Sequence, residues 1–114
     1  MKKQNLIPGY DRILHGGDYN PDQWQNDKAV ITEDFQLMKM AHCNAFSVGI
    51  FAWTSLEPED GVFCFDWLDD IMDRMAAAGN KVFLATPSAA KPAWLSARYP
   101  EIRRMNMDGI REGY

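Results

Sequence analysis

The chain has 114 residues, of which 46% are hydrophobic and 25% charged, a balance typical of a soluble globular protein. Its net charge of −4 and the lack of a lysine and arginine cluster argue against a nucleic-acid surface, since binding phosphates needs concentrated positive charge. No run approaches the ~20 apolar residues of a membrane span, and polar residues interrupt the start of the chain where a signal peptide needs an apolar stretch. The two cysteines, Cys43 and Cys64, lie far apart without metal-ligand spacing. We therefore expect a cytoplasmic protein with no cofactor or metal in this chain.

The first predicted unit is a strand followed by a helix. Arg12–Gly16 is a short apolar run ending in glycine, which predicts a strand and then a loop. Farther along, Thr32 is expected to cap a helix, with Glu33 and Asp34 placed against its positive end. The predicted apolar stripe of this helix consists of Ile31, Phe35, Met38 and Ala41.

The second unit repeats this order more clearly. Ala45–Phe51 is largely apolar, as expected for a strand buried on both faces. A second helix is expected to begin with Asp66 as its cap and to end at Gly79–Asn80, where glycine permits a left-handed conformation. Its predicted apolar stripe is Leu68, Ile71, Met75 and Ala78.

The third unit is compact. Val82–Ala85 predicts a strand, and Ala93–Arg98 predicts a short helix that ends before Pro100. Between the larger elements, Glu57–Gly61 is a turn, followed by a possible small strand over Val62–Phe65. Arg103–Arg111, with Asp108-Gly109 at its centre, is typical of a hairpin.

A strand and helix repeat of this length predicts parallel βαβ units. Eight such units make a (β/α)₈ TIM barrel of about 250 residues, so we expect an α/β fold in which residues 1–114 form the first three units of an incomplete barrel domain. A doubly wound nucleotide-binding sheet is the alternative. It requires a Gly-x-Gly-x-x-Gly turn, whereas Gly16–Asn20 lacks that spacing and carries an acid.

The predicted loops after the three strands are rich in aromatic and small polar residues. Flat rings with a few directed hydrogen-bonding groups suit a sugar, so a carbohydrate ligand is the working hypothesis, although each ring could equally pack loops against helices. The loop residues in question are Tyr19, Asn20, Trp24, Phe51, Trp53, Thr54, Thr86, Ser88 and Trp94, of which Tyr19, Phe51, Trp53 and Ser88 are the predicted substrate-binding residues.

Candidate catalytic groups are scarce. Glu57, Glu59 and Asp60 lie in a turn, where charged residues are usually only solvated. Asp18 is better placed at a strand end, yet it could serve only to accept backbone N–H bonds in its loop. His15 and His42 have no acid or nucleophile at a suggestive spacing. We therefore assign no catalytic residue within this chain.

Four blocks of the chain carry a family resemblance: Gly16–Trp24, Ser47–Trp53 with Leu56–Pro58, Ala85–Leu95 and Tyr99–Ile102. Together they resemble the start of bacterial β-galactosidases of glycoside hydrolase family 42. The resemblance implies a retaining glycosidase on a (β/α)₈ barrel that hydrolyses terminal β-D-galactosides, with its two catalytic glutamates at the ends of strands four and seven, outside this chain. It also implies a homo-oligomeric full-length enzyme, in which a zinc site farther along is possible. Asp22 stands where the family more often has glutamate, and Arg111 lies too early to match the family's substrate-contacting arginine.

Two consequences follow for the chain taken alone, and two alternatives to the β-galactosidase interpretation stay open. We expect it to form part of a subsite wall without catalysis, and to be insoluble, oligomeric or partly molten, because three parallel strands leave two open edges. Related enzymes with a similar rim prefer other sugars, such as β-glucosides, β-fucosides or α-L-arabinopyranosides. A complete, non-catalytic carbohydrate-binding or interaction module is the remaining alternative.

Overall fold

Three short parallel strands form the framework of the chain. A computed structural model describes residues 4–113, so Tyr114 and the residues Met1, Lys2 and Lys3, where a signal peptide would begin, lie outside the described residues. The strands lie in the order β1-β2-β3, and both neighbouring pairs are parallel, which confirms the predicted βαβ arrangement. Their bounds are Gly16–Tyr19 for β1, Ala45–Val48 for β2 and Lys81–Leu84 for β3.

Four α-helices connect and follow the strands. Their bounds are Lys28–Met40 for α1, Trp53–Leu56 for α2, Asp66–Ala77 for α3 and Ala93–Arg98 for α4. The bounds of α4 are those predicted, whereas the single turn of α2 falls inside what was predicted to be a loop. Two 3₁₀-helices, Pro21–Trp24 and Pro100–Ile102, complete the elements. Within residues 4–113, no helix combines the length and the apolar character needed to cross a membrane.

The first strand lies later than Arg12–Gly16, so that prediction was wrong. Gly16-Gly17 was interpreted as the start of a loop, but both glycines belong to β1. A Cβ on Gly16 would lie 1.7 Å from the backbone oxygen of Ala45 on β2. The glycine is thus required by the close approach of two strands and not by a turn.

The first helix begins four residues before the predicted cap. Asp27 is the N-cap, and its carboxylate accepts hydrogen bonds from the backbone N–H groups of Ala29 and Val30 at 3.1 and 3.3 Å. Thr32 lies inside α1, where its hydroxyl donates to the backbone oxygen of Lys28 at 2.7 Å. The prediction of a threonine cap was wrong because an aspartate earlier in the chain satisfies the free N–H groups of the first turn.

The third helix begins and ends almost as predicted. Asp66 is its first residue and not its cap; Phe65 occupies the cap position, and no side chain caps the helix there. The carboxylate still lies in the first turn, where the positive end of the helix favours it. At the other end Gly79 has φ +74°, and the N–H of Asn80 donates to the Met75 oxygen, which confirms the left-handed stop.

The hydrophobic core lies between one face of the sheet and helices α1 and α3. Most predicted stripe residues contribute to it, but Ala41 and Ala78 are exposed at the helix C-caps. The second strand ends at Val48, before the predicted Phe51, because Gly49 turns the backbone at φ +91°. The principal buried residues are Ile31, Met38, Phe46, Val48, Ala52, Leu56, Leu68, Ile71 and Met75.

The predictions for the third strand and for the two turns had different outcomes. The third strand begins at Lys81, one residue before the prediction. Val62–Phe65 forms no strand; only a single antiparallel bridge joins Glu59 and Val62. The segment around Asp108-Gly109 does fold back, with a bridge between Met105 and Arg111 and φ +74° at Gly109.

Candidate functional site

The carboxyl ends of the three strands lie along one edge of the sheet. The last residues of the strands are paired in register, with Tyr19 beside Val48 and Val48 beside Leu84. The connections that follow all three strands therefore leave from the same edge. In parallel α/β sheets this edge is where ligands bind, so it is the candidate site.

The sheet face opposite the helices carries both polar and apolar side chains. In the register, Asp18 pairs with Ser47, and Ser47 pairs with Phe83. Side chains alternate between faces along a strand, so this row lies on the face away from Phe46 and Val48. An open concave surface of about 320 Å³ runs along it. Its lining consists of Leu14, Gly16, Gly17, Asp18, Ala45, Ser47 and Phe83.

Tyr19 lies at this edge but its side chain packs toward the helices. Its ring makes edge contacts with Phe35 and Phe46, at centroid distances of 6.2 and 6.4 Å. Its hydroxyl donates to the carboxylate of Asp34 at 3.0 Å. Burial, and then the bond to Asp34, raise the pKa of the Tyr19 phenol above its ordinary value. These contacts describe a packing residue, while its predicted contact with substrate stays a prediction.

The position of Asp34 in α1 also differs from the one predicted from the sequence. Glu33 and Asp34 were predicted to lie in the first turn of a helix, whereas α1 begins at Lys28 and places both in its second turn. Asp34 is half-buried and serves Tyr19 as an acceptor, and Glu33 is exposed. Apart from the bond between Asp34 and Tyr19, no hydrogen bond or ion pair in residues 4–113 joins Glu33 or Asp34 to a strand end.

The connection after β2 is held by one carboxylate. Glu57 accepts a hydrogen bond from the indole Nε1 of Trp53 at 2.8 Å and one from the backbone N–H of Gly61 at 3.0 Å. Four residues separate Trp53 and Glu57, so one turn of α2 brings them together. The interpretation of Glu57 as a merely solvated turn residue was therefore wrong, and the i,i+4 spacing was the signal that could have revealed the contact.

Glu57 also contacts the connection after β3. Its backbone oxygen accepts a hydrogen bond from the indole Nε1 of Trp94 at 2.9 Å. Trp94 is the second residue of α4, so this bond joins two connections that leave the same sheet edge. Both tryptophan side chains are partly buried.

The hydrogen bonds to Glu57 act on its protonation. The bond from Trp53, followed by the bond from Gly61, lowers the pKa of the Glu57 carboxyl below its ordinary value. A carboxylate whose ionised form accepts two N–H groups is stabilised as an anion. Glu57 is thus suited to orient neighbouring groups and not to donate a proton.

The other predicted substrate residues are accessible. The side chain of Phe51 is 51% exposed, and Ser88 is exposed on the connection after β3. Of the remaining turn acids, Asp60 forms an ion pair with Arg98, and Glu59 is exposed. The structure thus brings Trp53 together with Trp94 through Glu57, while no contact described here joins Phe51 or Ser88 to them.

No metal centre is evident in the described part of the chain. Residues 4–113 contain no group of three or more histidine, cysteine, aspartate or glutamate side chains that could hold a metal ion. Cys43 and Cys64 are both free thiols. The two histidines are exposed; the backbone N–H of His15 donates to the Asn44 side chain at 2.7 Å, and His42 follows Ala41, the C-cap of α1.

Comparisons with known proteins agree with this framework. The glycoside hydrolase 42 family model, described as Beta-galactosidase, matches residues 18–114. Beta-galactosidase GanA of Bacillus subtilis is 56% identical over 100 residues, covering 88% of this chain and 15% of GanA. Beta-galactosidase BglY of Alicyclobacillus acidocaldarius is 53% identical over 110 residues, covering 96% of this chain and 16% of BglY.

Solved structures show the same likeness. A catalytic mutant of Gan42B, a GH42 beta-galactosidase from G. stearothermophilus, superposes with a TM-score of 0.84 at 54% identity, over 88% of this chain and 15% of that one. The beta-galactosidase from Rahnella sp. R3 gives a TM-score of 0.87 at 47% identity, over 92% and 16%. The chain spans about 15% of the length of the curated relatives it matches. The chain therefore belongs to the beta-galactosidase family known as glycoside hydrolase 42.

Proposed function

We propose that this chain forms part of the sugar-binding wall of a retaining glycosidase that hydrolyses terminal β-D-galactosides. The observation that carries the proposal is the identity of 53–56% to proteins named beta-galactosidases over 88–96% of the chain. The geometry supports it, because two tryptophans lie on the connections that leave the ligand-binding edge of the sheet. Aromatic faces beside directed polar groups suit the alternating apolar and hydroxyl surfaces of a sugar.

The sheet is proposed to be the first three βα units of a (β/α)₈ barrel. The parallel order β1-β2-β3, with helices against one face only, is what an opening segment of such a barrel requires. In that arrangement Asp18, Ser47 and Phe83 would face the barrel interior. The TM-scores of 0.84 and 0.87 to GH42 beta-galactosidases support this assignment.

The chain is proposed to contribute binding and not chemistry. A retaining mechanism needs two carboxyl groups about 5–5.5 Å apart, one as nucleophile and one as acid and base. The family resemblance puts both glutamates on later strands, so Tyr19, Phe51, Trp53 and Ser88 are proposed only as substrate contacts. The same proposal includes a cytoplasmic location, a homo-oligomeric state and a zinc site farther along the enzyme.

The experiment is a substrate panel on the complete gene product. Chromogenic β-galactoside, β-glucoside, β-fucoside and α-L-arabinopyranoside are compared by kcat/KM. The proposal predicts the highest value for the β-galactoside, with the product anomer retained in an NMR time course. Preference for another sugar would correct the specificity, and absence of hydrolysis of every substrate would overturn the function.

A further inference from the structure

We propose that Glu57 is a positioning residue that holds the indole rings of Trp53 and Trp94 in one fixed arrangement at the substrate wall. The proposal rests on the proposed function, because a fixed arrangement of the two rings affects binding only if the wall contacts a sugar. It assigns a role to a carboxylate whose position in an exposed Pro/Gly turn predicted none.

Each carboxylate oxygen of Glu57 accepts one hydrogen bond. One carboxylate oxygen accepts from the Trp53 indole at 2.8 Å, and the other accepts from the backbone N–H of Gly61 at 3.0 Å. The first bond fixes the ring of a residue at the start of α2, and the second fixes the turn that follows the helix. Gly61 has φ +78°, a left-handed conformation that glycine adopts readily in such a turn.

The backbone of Glu57 supplies the second tryptophan contact. Glu57 is the C-cap of α2, with φ −141° and ψ 77°, so its backbone has left the helical conformation. Carbonyl groups at a helix end lack partners within the helix and can accept from elsewhere. Trp94, 37 residues along the chain, donates to this oxygen at 2.9 Å.

This arrangement occupies the polar atom of each indole ring and leaves its apolar surface without a hydrogen-bonding requirement. An indole has only one hydrogen-bond donor, and in Trp53 and Trp94 that donor is spent on Glu57. The remaining surface of each ring is apolar, which is the surface that stacks against the C–H face of a sugar. Holding the rings before the substrate arrives reduces the ordering cost of binding.

The two contacts differ in a way that an experiment can use. Replacing the Glu57 side chain removes the bonds to Trp53 and Gly61, but leaves the backbone bond to Trp94 in place. A side-chain variant therefore acts through Trp53 and the Gly61 turn, and not through Trp94. Trp53→Phe removes the donor together with part of the ring surface, so the coupling between this substitution and Glu57→Ala, and not its effect alone, probes the bond.

The test uses the complete gene product and a chromogenic β-galactoside. Glu57→Ala is expected to raise KM about tenfold while kcat changes less than about threefold, because a pre-formed binding surface acts on substrate and transition state alike. Glu57→Gln keeps one acceptor oxygen and is expected to give a smaller rise, of about threefold. Glu59→Ala, an exposed acid in the same turn, is the control and is expected to leave both constants unchanged.

A double-mutant cycle separates this role from a general structural one. If Glu57 acts through the Trp53 donor, Glu57→Ala and Trp53→Phe raise KM by amounts that do not multiply in the double variant. A purely structural Glu57 would lower the folded fraction, measured by circular dichroism, while KM of the folded enzyme stays at the wild-type value. If Glu57→Ala fails to fold, Glu57→Gln and Trp53→Phe complete the same cycle.

The outcomes are distinct from those of the proposed function. If the wild type is active, two results overturn the positioning role: an unchanged KM in Glu57→Ala, or rises in KM from Glu57→Ala and Trp53→Phe that multiply fully in the double variant. Both results leave the β-galactosidase proposal standing. An inactive wild type overturns the proposed function, and galactose binding by calorimetry then gives the same cycle in Kd. A wild type that neither hydrolyses nor binds sugar overturns both.

Discussion

The two faces of the sheet differ in their side chains and in their cover. Phe46 and Val48 on one face of β2 are buried against α1 and α3, and Val48 is 0% exposed. Ser47 on the other face lines an open groove beside Asp18 and Phe83, and Phe83 is 50% exposed. The chain therefore covers one face of its sheet with its own helices. The other face stays open, and its polar groups are suited to contact a ligand or further protein.

The two faces are also expected to differ in what they contribute, one to stability and the other to binding. Residues of the covered face are expected to determine whether the unit folds, and the open face and the strand-end connections are expected to determine what it binds. Four substitutions in the complete gene product test where this stability lies. Local stability is read for each by amide hydrogen exchange with mass spectrometry, which reports opening free energies segment by segment.

The largest effect is expected at the centre of the covered face. Met75 is 0% exposed on α3, so Met75→Ala is expected to cost about 2–5 kcal/mol through the lost apolar contacts and the cavity that remains. The loss would appear as faster exchange throughout β2 and α3. Met107→Ala, at an exposed methionine, is the control and is expected to change exchange little. Equal effects at the two methionines would contradict the core described above.

The next effect is expected where two strands approach most closely. Gly16→Ala would put a Cβ 1.7 Å from the Ala45 oxygen, so β1 must move away from β2. Overpacking of this kind typically costs about 1–3 kcal/mol. Gly17→Ala is the matched control, because a Cβ there meets no atom within 4 Å. Protection of β1 amides that survives Gly16→Ala unchanged would show that the close approach is not required.

A smaller effect, with a dependence on pH, is expected at Tyr19. Tyr19→Phe removes the bond to Asp34 and is expected to cost about 1 kcal/mol at neutral pH. The folded-state pKa of the phenol is raised above its unfolded value near 10, so its stabilising contribution is complete below that pH and is lost as pH rises through the higher folded value. Wild-type protein should therefore lose stability above about pH 10, and the Phe variant should lose less. Parallel alkaline curves for the two proteins would refute this assignment.

The smallest effect is a gain at the end of α1. His42 has φ +57° and occupies the position that Gly79 occupies after α3; in both, two backbone bonds close the helix end. His42→Gly removes the strain of a side chain in the left-handed region and is expected to stabilise the helix end by about 0.5–1 kcal/mol. Gly79→His is the reverse exchange and is expected to cost a similar amount. Slower amide exchange at Cys43 and Asn44 would measure the gain, and no change would show that His42 is held without strain.

Much of this architecture was predictable because local signals agreed with the global fold. The stripe Leu68, Ile71 and Met75 and the glycine stop at Gly79 define α3 from short-range chemistry alone. The bounds Ala93–Arg98 were likewise correct, since Pro100 prevents the helix from continuing. The family was also identifiable from four sequence blocks, and the match over residues 18–114 confirms it.

The sequence by itself determined the order of strands and helices, the faces that are apolar and the family, because periodicity and turn chemistry act over a few residues. Only the tertiary structure decided that Gly16-Gly17 is a strand, since the reason is a backbone atom of Ala45 that lies 29 residues away from Gly16. The same holds for Glu57, whose contact with Trp94 depends on two connections meeting at one sheet edge. Contacts between distant residues leave no periodic trace in the chain, so their chemistry becomes visible only when the strands are in register.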